Sequence, residues 1–159
     1  VFLLKLLPAP LHRALYRLAH FARRCFWKLR RPTVCGVRVL AIDPQGHVLL
    51  VRHSYGPGKW MPPGGGLRSG EAPLPAAARE LREETGCVLE TAQEVTMLVE
   101  NLYGARNEVH VIVGRTSGPP RPDAREIVDA GFFALDALPE RMTGAIAAGV
   151  REWVALYRS

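Results

Sequence analysis

The chain has 159 residues, 48% hydrophobic and 23% charged, a balance that reads as one soluble globular domain with a core of its own. Its net charge of +6 is unevenly placed: residues 1–31 hold eight Lys/Arg and no acid, whereas the remainder holds 13 Lys/Arg against 15 Asp/Glu. A basic arm on a slightly acidic body argues against a body that binds nucleic acid, whose basic residues would cluster on its own surface.

Three cysteines, Cys25, Cys35 and Cys87, show no C-x-x-C spacing. They read as reduced thiols of a reducing compartment, the cytosol. The apolar opening, residues 1–11, is interrupted by Lys5 and falls short of the roughly 18 apolar residues of a membrane span. With its charges after the apolar run and no small-residue cleavage site, it is also a poor signal peptide. From Leu11 to about Leu29, the residues Leu11, Leu15, Leu18, Ala22, Cys25, Phe26 and Leu29 recur at steps of three and four, the period of an amphipathic helix. Arg13, Arg17, Arg24, Lys28 and Arg31 mostly fall elsewhere on the turn, and Pro32 ends the segment. Such a helix packs on the body or on a partner subunit in a homodimer. Alternatively it lies on an anionic membrane surface with Phe26 and Trp27 at the interface. Residues 1–31 are thus expected to be an arm and 32–159 the domain.

Val34–Ile42 is rich in β-branched residues and reads as a strand. Asp43-Pro44-Gln45-Gly46 is a turn, and Val48–Arg52 is the returning strand. Residues 56–66 are so dense in Pro and Gly that they read as a loop. A helix follows, with Pro75 in its first turn and Gly86 just past its end. Strands are expected at Val95–Leu102 and Val109–Thr116, joined by a polar loop. A short strand is expected at Gly131–Leu135, and a closing helix at Met142–Tyr157. Hairpins mixed with helices imply a mixed sheet flanked by helices, an α/β fold.

The helix after the glycine loop carries the chemistry. Glu80, Glu83 and Glu84 stand at i, i+3 and i+4 and share one face. Three carboxylates so close raise the pKa of at least one of them unless a cation intervenes. A hard divalent ion with oxygen ligands, magnesium with manganese as a substitute, removes that penalty. Magnesium's habit of binding carboxylates together with phosphates points to phosphate chemistry. Gly64, Gly65 and Gly66 let the backbone fold tightly against the helix, where a carbonyl reaches the same ion. Glu71 lies between loop and helix, and the Arg79 guanidinium fork is suited to tying the loop carboxylate to the helix. The alternative is a solvated acidic helix face, which explains neither the glycines nor the spacing of Glu71 and Arg79.

Gly65, Glu71, Arg79-Glu80-Leu81, Glu83-Glu84 and Gly86 stand at the spacing of the Nudix box, and Gly65–Cys87 resembles that signature at every fixed position. Cys87 replaces the usual bulky aliphatic. The lead-in Trp60-x-Pro62-Pro63-Gly64 is similar too. The resemblance implies a Nudix-type α/β/α sandwich and an enzyme in which metal-activated water cleaves a nucleoside diphosphate linked to another group. It implies Glu80 and Glu84 as direct ligands, Glu83 as a further ligand or holder of a water, and the carbonyl of Gly64 as another. It also implies a carboxylate from outside the box, several residues before an aromatic. Glu126, six residues before Phe132, is nominated as metal ligand or general base, and Glu108 is the other candidate base.

Arg38, Arg52 and His53 are candidates for substrate phosphates, and Trp60 for stacking on a base. Each has the plainer reading of a surface or packing residue. Members that cleave ADP-ribose often carry a proline about fifteen residues after the box, where this chain has Leu102 and Tyr103. A tyrosine there resembles the dinucleoside-polyphosphate hydrolases, which makes Tyr103 a substrate-binding candidate. A nucleoside triphosphate, in a sanitising role, is the second substrate class. An inactive nucleotide-binding module is the non-enzymatic alternative, and a lipid-linked diphosphate a further one.

Overall fold

The computed structural model describes residues 32–158 except positions 56 and 123, and scattered positions between 11 and 30; the side chain of Arg158 is not described. Residues 1–10, Cys25, Trp27 and the five basic residues Arg13, Arg17, Arg24, Lys28 and Arg31 lie outside the described residues. The described positions from Leu11 to Arg30 are helical, as the spacing implied. No helix among the described residues is long and apolar enough to cross a membrane.

Among the described residues, seven strands form one sheet: β1 (Thr33–Ile42), β2 (Val48–His53), β3 (Trp60–Met61), β4 (Gly64–Gly66), β5 (Ala92–Leu102), β6 (Ala105–Arg115) and β7 (Ile127–Phe133). The order β3-β2-β1-β6-β5 is mixed, with β1 and β6 parallel and the other pairs antiparallel; β4 adds to β1, and β7 to β2. Helices α1 (Pro73–Thr85) and α2 (Gly144–Arg158) cover the two faces. Along β1 the side chains alternate, as a strand requires. Val37, Val39 and Ala41 pack with Ala76, Ala77 and Leu81 of α1, and Leu40 and Ile42 pack with Val150, Trp153 and Val154 of α2. The result is the expected three-layer α/β/α arrangement.

Several boundaries differ from the sequence reading, most of all in three places. The loop expected between β5 and β6 shrinks to Tyr103-Gly104, because both take positive φ (54° and 92°) and the Asn101 side chain accepts the Gly104 N–H at 2.9 Å. Polar Arg106, Asn107 and Glu108 are therefore strand residues, paired with Asn101, Glu100 and Val99. The strand expected from Gly131 begins at Ile127, since β2 offers it a pairing edge. The Pro-Gly stretch holds two short strands, which pairing with β1 and β2 stabilises where local propensity does not.

Candidate metal centre

The glycine loop is strapped to β1 before it meets the helix. Arg38 pairs with Gly64, Val37 with Gly65 and Gly36 with Gly66, while the Val39 N–H donates to the Pro63 carbonyl at 2.8 Å. Glycine is required by contact as well as conformation. A Cβ on Gly64 (φ 155°) would sit 2.1 Å from the Val37 carbonyl oxygen, and one on Gly65 would sit 2.6 Å from Glu80 Cδ. The loop thus runs close enough to α1 for backbone and carboxylates to share one ion. Gly86 closes α1 in the left-handed conformation (φ 72°), its N–H bound to the Arg82 carbonyl. Cys87 then enters the core beside Leu81, in the role its apolar character implied.

Arg79 organises the acidic face. Its Nε and Nη2 donate to the two oxygens of Glu71 at 2.8 and 2.7 Å, Nη1 donates to Glu80 at 2.5 Å and to Glu83 at 3.4 Å, and Nη2 also reaches the Gly66 carbonyl at 3.1 Å. The fork, with the Arg68 backbone N–H, holds the Glu71 carboxyl down at a pKa of about 2, and Glu71 and Glu80 in turn raise that of Arg79. The carboxylate expected to have a raised pKa is Glu80, for a partly different reason. Burial is the main cause, and repulsion from Glu83 and Glu126 adds to it against the lowering by Arg79.

Glu84 is almost fully buried and accepts the Gly64 N–H at 3.1 Å. Glu126 comes to it from β7. Between Arg52 and His53 the β2–β7 register slips, so that His53 faces Ile127 and the Ser54 N–H donates to the Glu126 carbonyl at 2.8 Å. Such a bulge re-aims side chains at the rim of a sheet. Tyr55 donates its hydroxyl to Glu126 at 3.0 Å, and ligand atoms of His53, Glu84 and Glu126 lie within 4.8 Å of one another. Buried carboxylates with a backbone loop against them form a donor set that fits a hard divalent cation.

Other candidates separate. Glu83 is more exposed than Glu80, faces Arg68 at 3.1 Å and lies at the edge of the cluster. Glu108 bonds Arg106 at 3.1 Å and is not one of the converging groups. Arg52 pairs with Asp129 at 3.2 Å beside Trp60, and Trp60 packs on Phe133 in the α2-side core. Arg38 pairs with Glu100 at 3.0 Å, over the Trp153 ring. A cleft of about 670 Å³ runs along the glycine loop, lined by His53, Tyr55, Tyr103 and Asn107 among others. Tyr103 and Tyr55 thus line this cleft, and sequence reasoning missed Tyr55 because its partner Glu126 lies 71 residues away. His53 was read as a phosphate contact, and nothing in its local sequence marked it as a neighbour of Glu84.

The NUDIX domain model matches residues 32–156. Among curated proteins, an isopentenyl-diphosphate Delta-isomerase of Streptomyces avermitilis is 36% identical over 119 residues, 65% of this chain and 58% of that protein. The oxidized purine nucleoside triphosphate hydrolase of Danio rerio is 30% identical over 104 residues, 64% of this chain and 66% of that protein. An RNA pyrophosphohydrolase of Rhodospirillum rubrum is 41% identical over 51 residues, 32% of this chain and 31% of that protein. The chain thus matches about two thirds of these relatives' length at most. Among solved structures, the MutT NUDIX hydrolase of Burkholderia pseudomallei aligns at a TM-score of 0.66 and 28% identity, over 75% of this chain and 96% of that one. The MutT protein of Methanosarcina mazei Go1 aligns at 0.70 and 20% identity, over 81% and 98%, a likeness of fold. With the box, the sandwich and the family model agreeing, the chain belongs to the NUDIX domain family.

Proposed function

We propose that the protein is a magnesium-dependent pyrophosphohydrolase that cleaves the phosphoanhydride bond of a nucleoside diphosphate linked to a second group. The observation that carries this is the convergence of Glu84 and Glu126 beside the glycine loop, with Glu80 against Gly65, near enough to feel the charge of Glu126 and held by Arg79. Glu80, Glu84, Glu126 and the Gly64 carbonyl would hold the ion, with Glu83 as an outer ligand or water holder. The bound ion supplies charge neutralisation at the anhydride oxygens and acidifies the attacking water. Glu126, steadied by Tyr55, is placed to take the proton of that water. Arg79 keeps Glu80 aimed and Glu71 fixed against the loop. The cleft is of a size suited to a nucleotide, with Tyr103 available for stacking on a base and Arg52 further off. The names of an oxidized purine nucleoside triphosphate hydrolase and an RNA pyrophosphohydrolase among the relatives keep a triphosphate as the second substrate class.

The test is phosphate release over ADP-ribose, dinucleoside polyphosphates, nucleotide sugars and nucleoside triphosphates, with and without magnesium. Turnover abolished by Glu84→Gln supports the reading. Silence across the panel with retained nucleotide binding assigns the chain to the binding modules instead.

We also propose that the N-terminal arm rests on an anionic membrane surface. Leu11, Leu15, Leu18, Phe21, Phe26 and Leu29 are helical yet 37–82% exposed, and residues 1–31 carry only positive charge. An apolar stripe on a basic helix matches acidic headgroups over acyl chains. The full chain should sediment with phosphatidylserine vesicles, less so at high salt, and Leu15→Glu/Leu18→Glu should release it. Equal partition onto neutral vesicles, or a concentration-dependent dimer that the same substitutions dissolve, would overturn the assignment.

A further inference from the structure

We infer that His53 completes a mixed nitrogen–oxygen metal site with Glu84 and Glu126, which makes the centre bind a first-row transition ion such as manganese more tightly than magnesium. The inference rests on the metal-dependent reading above and adds a ligand that lies outside the Nudix box.

The geometry is nearly closed. Donors about 2.1 Å from one ion lie at most about 4.2 Å apart, and the ligand atoms of these three residues are within 4.8 Å of one another. Three donors cannot all stand opposite one another around one ion, so closing the site takes side-chain rotations that move them by about 1 Å. The three ligands come from three elements. His53 ends β2, Glu84 is in the last turn of α1, and Glu126 directly precedes β7. The slipped register at Arg52/His53 is what brings the first and third together, and Glu126 enters against the Ser54 backbone.

The electrostatics ask for a cation there. Glu84 is buried and Glu126 half-buried, and Glu80 beside them already feels the charge of Glu126. Two carboxylates meeting in a region of low dielectric are costly without a shared positive charge. The imidazole then decides which cation. Magnesium prefers oxygen and gives up water reluctantly, whereas imidazole nitrogen suits first-row transition ions, and manganese accepts carboxylates as well. Tyr55 acts as a positioning residue: its ring leans on His53 at 5.0 Å between centroids, and its hydroxyl holds Glu126.

Manganese and magnesium chlorides are titrated separately into the full chain by calorimetry, without nucleotide, for the wild type and His53→Gln. Manganese should bind the wild type at least about tenfold more tightly than magnesium, and His53→Gln should remove that advantage, on the scale of a lost ligand partner. Electron spin-echo modulation of the wild-type manganese complex should show a directly bound nitrogen, a reading that stands even if the variant fails to fold. Absence of nitrogen modulation, or an unchanged manganese-to-magnesium ratio in a folded variant, overturns the inference. Nitrogen-bound manganese without hydrolysis of any substrate would sink the hydrolase reading and leave this one standing. Hydrolysis with no nitrogen at the metal would do the reverse.

Discussion

Arg79 and Glu71 are joined by two parallel hydrogen bonds, Nε to Oε1 at 2.8 Å and Nη2 to Oε2 at 2.7 Å, with both side chains 15% exposed. The same guanidinium holds Glu80, so the loop, the helix and one carboxylate of the proposed metal site share a single organiser. Lysine keeps the charge and loses the fork. Arg79→Lys should therefore lower kcat/KM by about 10- to 100-fold, the scale for residues that orient metal ligands. Steady-state kinetics at saturating magnesium check it. A near-normal rate would show that Arg79 serves only the fold.

Glu71 gives a pH signature to stability. Its folded pKa, about 2, lies below its ordinary value of 4.5. Its contribution is therefore full above about pH 4.5 and is lost as pH falls toward 2. Melting curves of the metal-free protein over that window should fall more steeply for the wild type than for Glu71→Gln, which has no carboxyl to protonate. Parallel profiles would mean the Arg79 fork contributes no linked stability.

A methyl group at Gly65 meets Glu80 Cδ at 2.6 Å, so Gly65→Ala must push that carboxylate away from the loop. Magnesium affinity, read by calorimetry, should drop by about tenfold or more. Gly144→Ala, where a Cβ meets nothing within 4 Å, should leave it unchanged. Equal binding by both variants would remove Glu80 from the metal centre.

Tyr103 holds a left-handed backbone (φ 54°) at the β5–β6 turn, a place where asparagine or glycine is the natural residue. Such a conformation costs a larger side chain on the order of 1 kcal/mol. Tyr103→Asn should raise stability by about that amount while raising KM, if the ring stacks on the substrate in the cleft. Denaturant unfolding and initial rates read the two effects separately. An unchanged KM would make Tyr103 a turn residue only.

The helix-borne part of the site was legible because its geometry is local. Glu80, Glu83 and Glu84 are neighbours by helical period alone, and Pro, Gly and Arg79 signal the loop and its tie through their own restricted chemistry. The role of Glu126 rested on loose spacing, and that of Tyr55 on nothing local, since their meeting depends on pairing across β2 and β7. Strand pairing likewise hid Tyr103-Gly104 as a tight turn, because residues 105–108 look polar enough for a loop until β5 lies beside them.

By itself, then, the sequence determined the order of the longer elements, the two-faced pattern of β1 and the identity of the acidic helix with its glycine loop. These follow from backbone restriction and side-chain periodicity, which act over a few residues. Tertiary structure decided which residues meet beside the acidic helix. A register slip between β2 and β7 puts His53 and Glu126 beside buried Glu84, and register is set by the summed pairing and burial of a whole sheet rather than by any neighbouring residue.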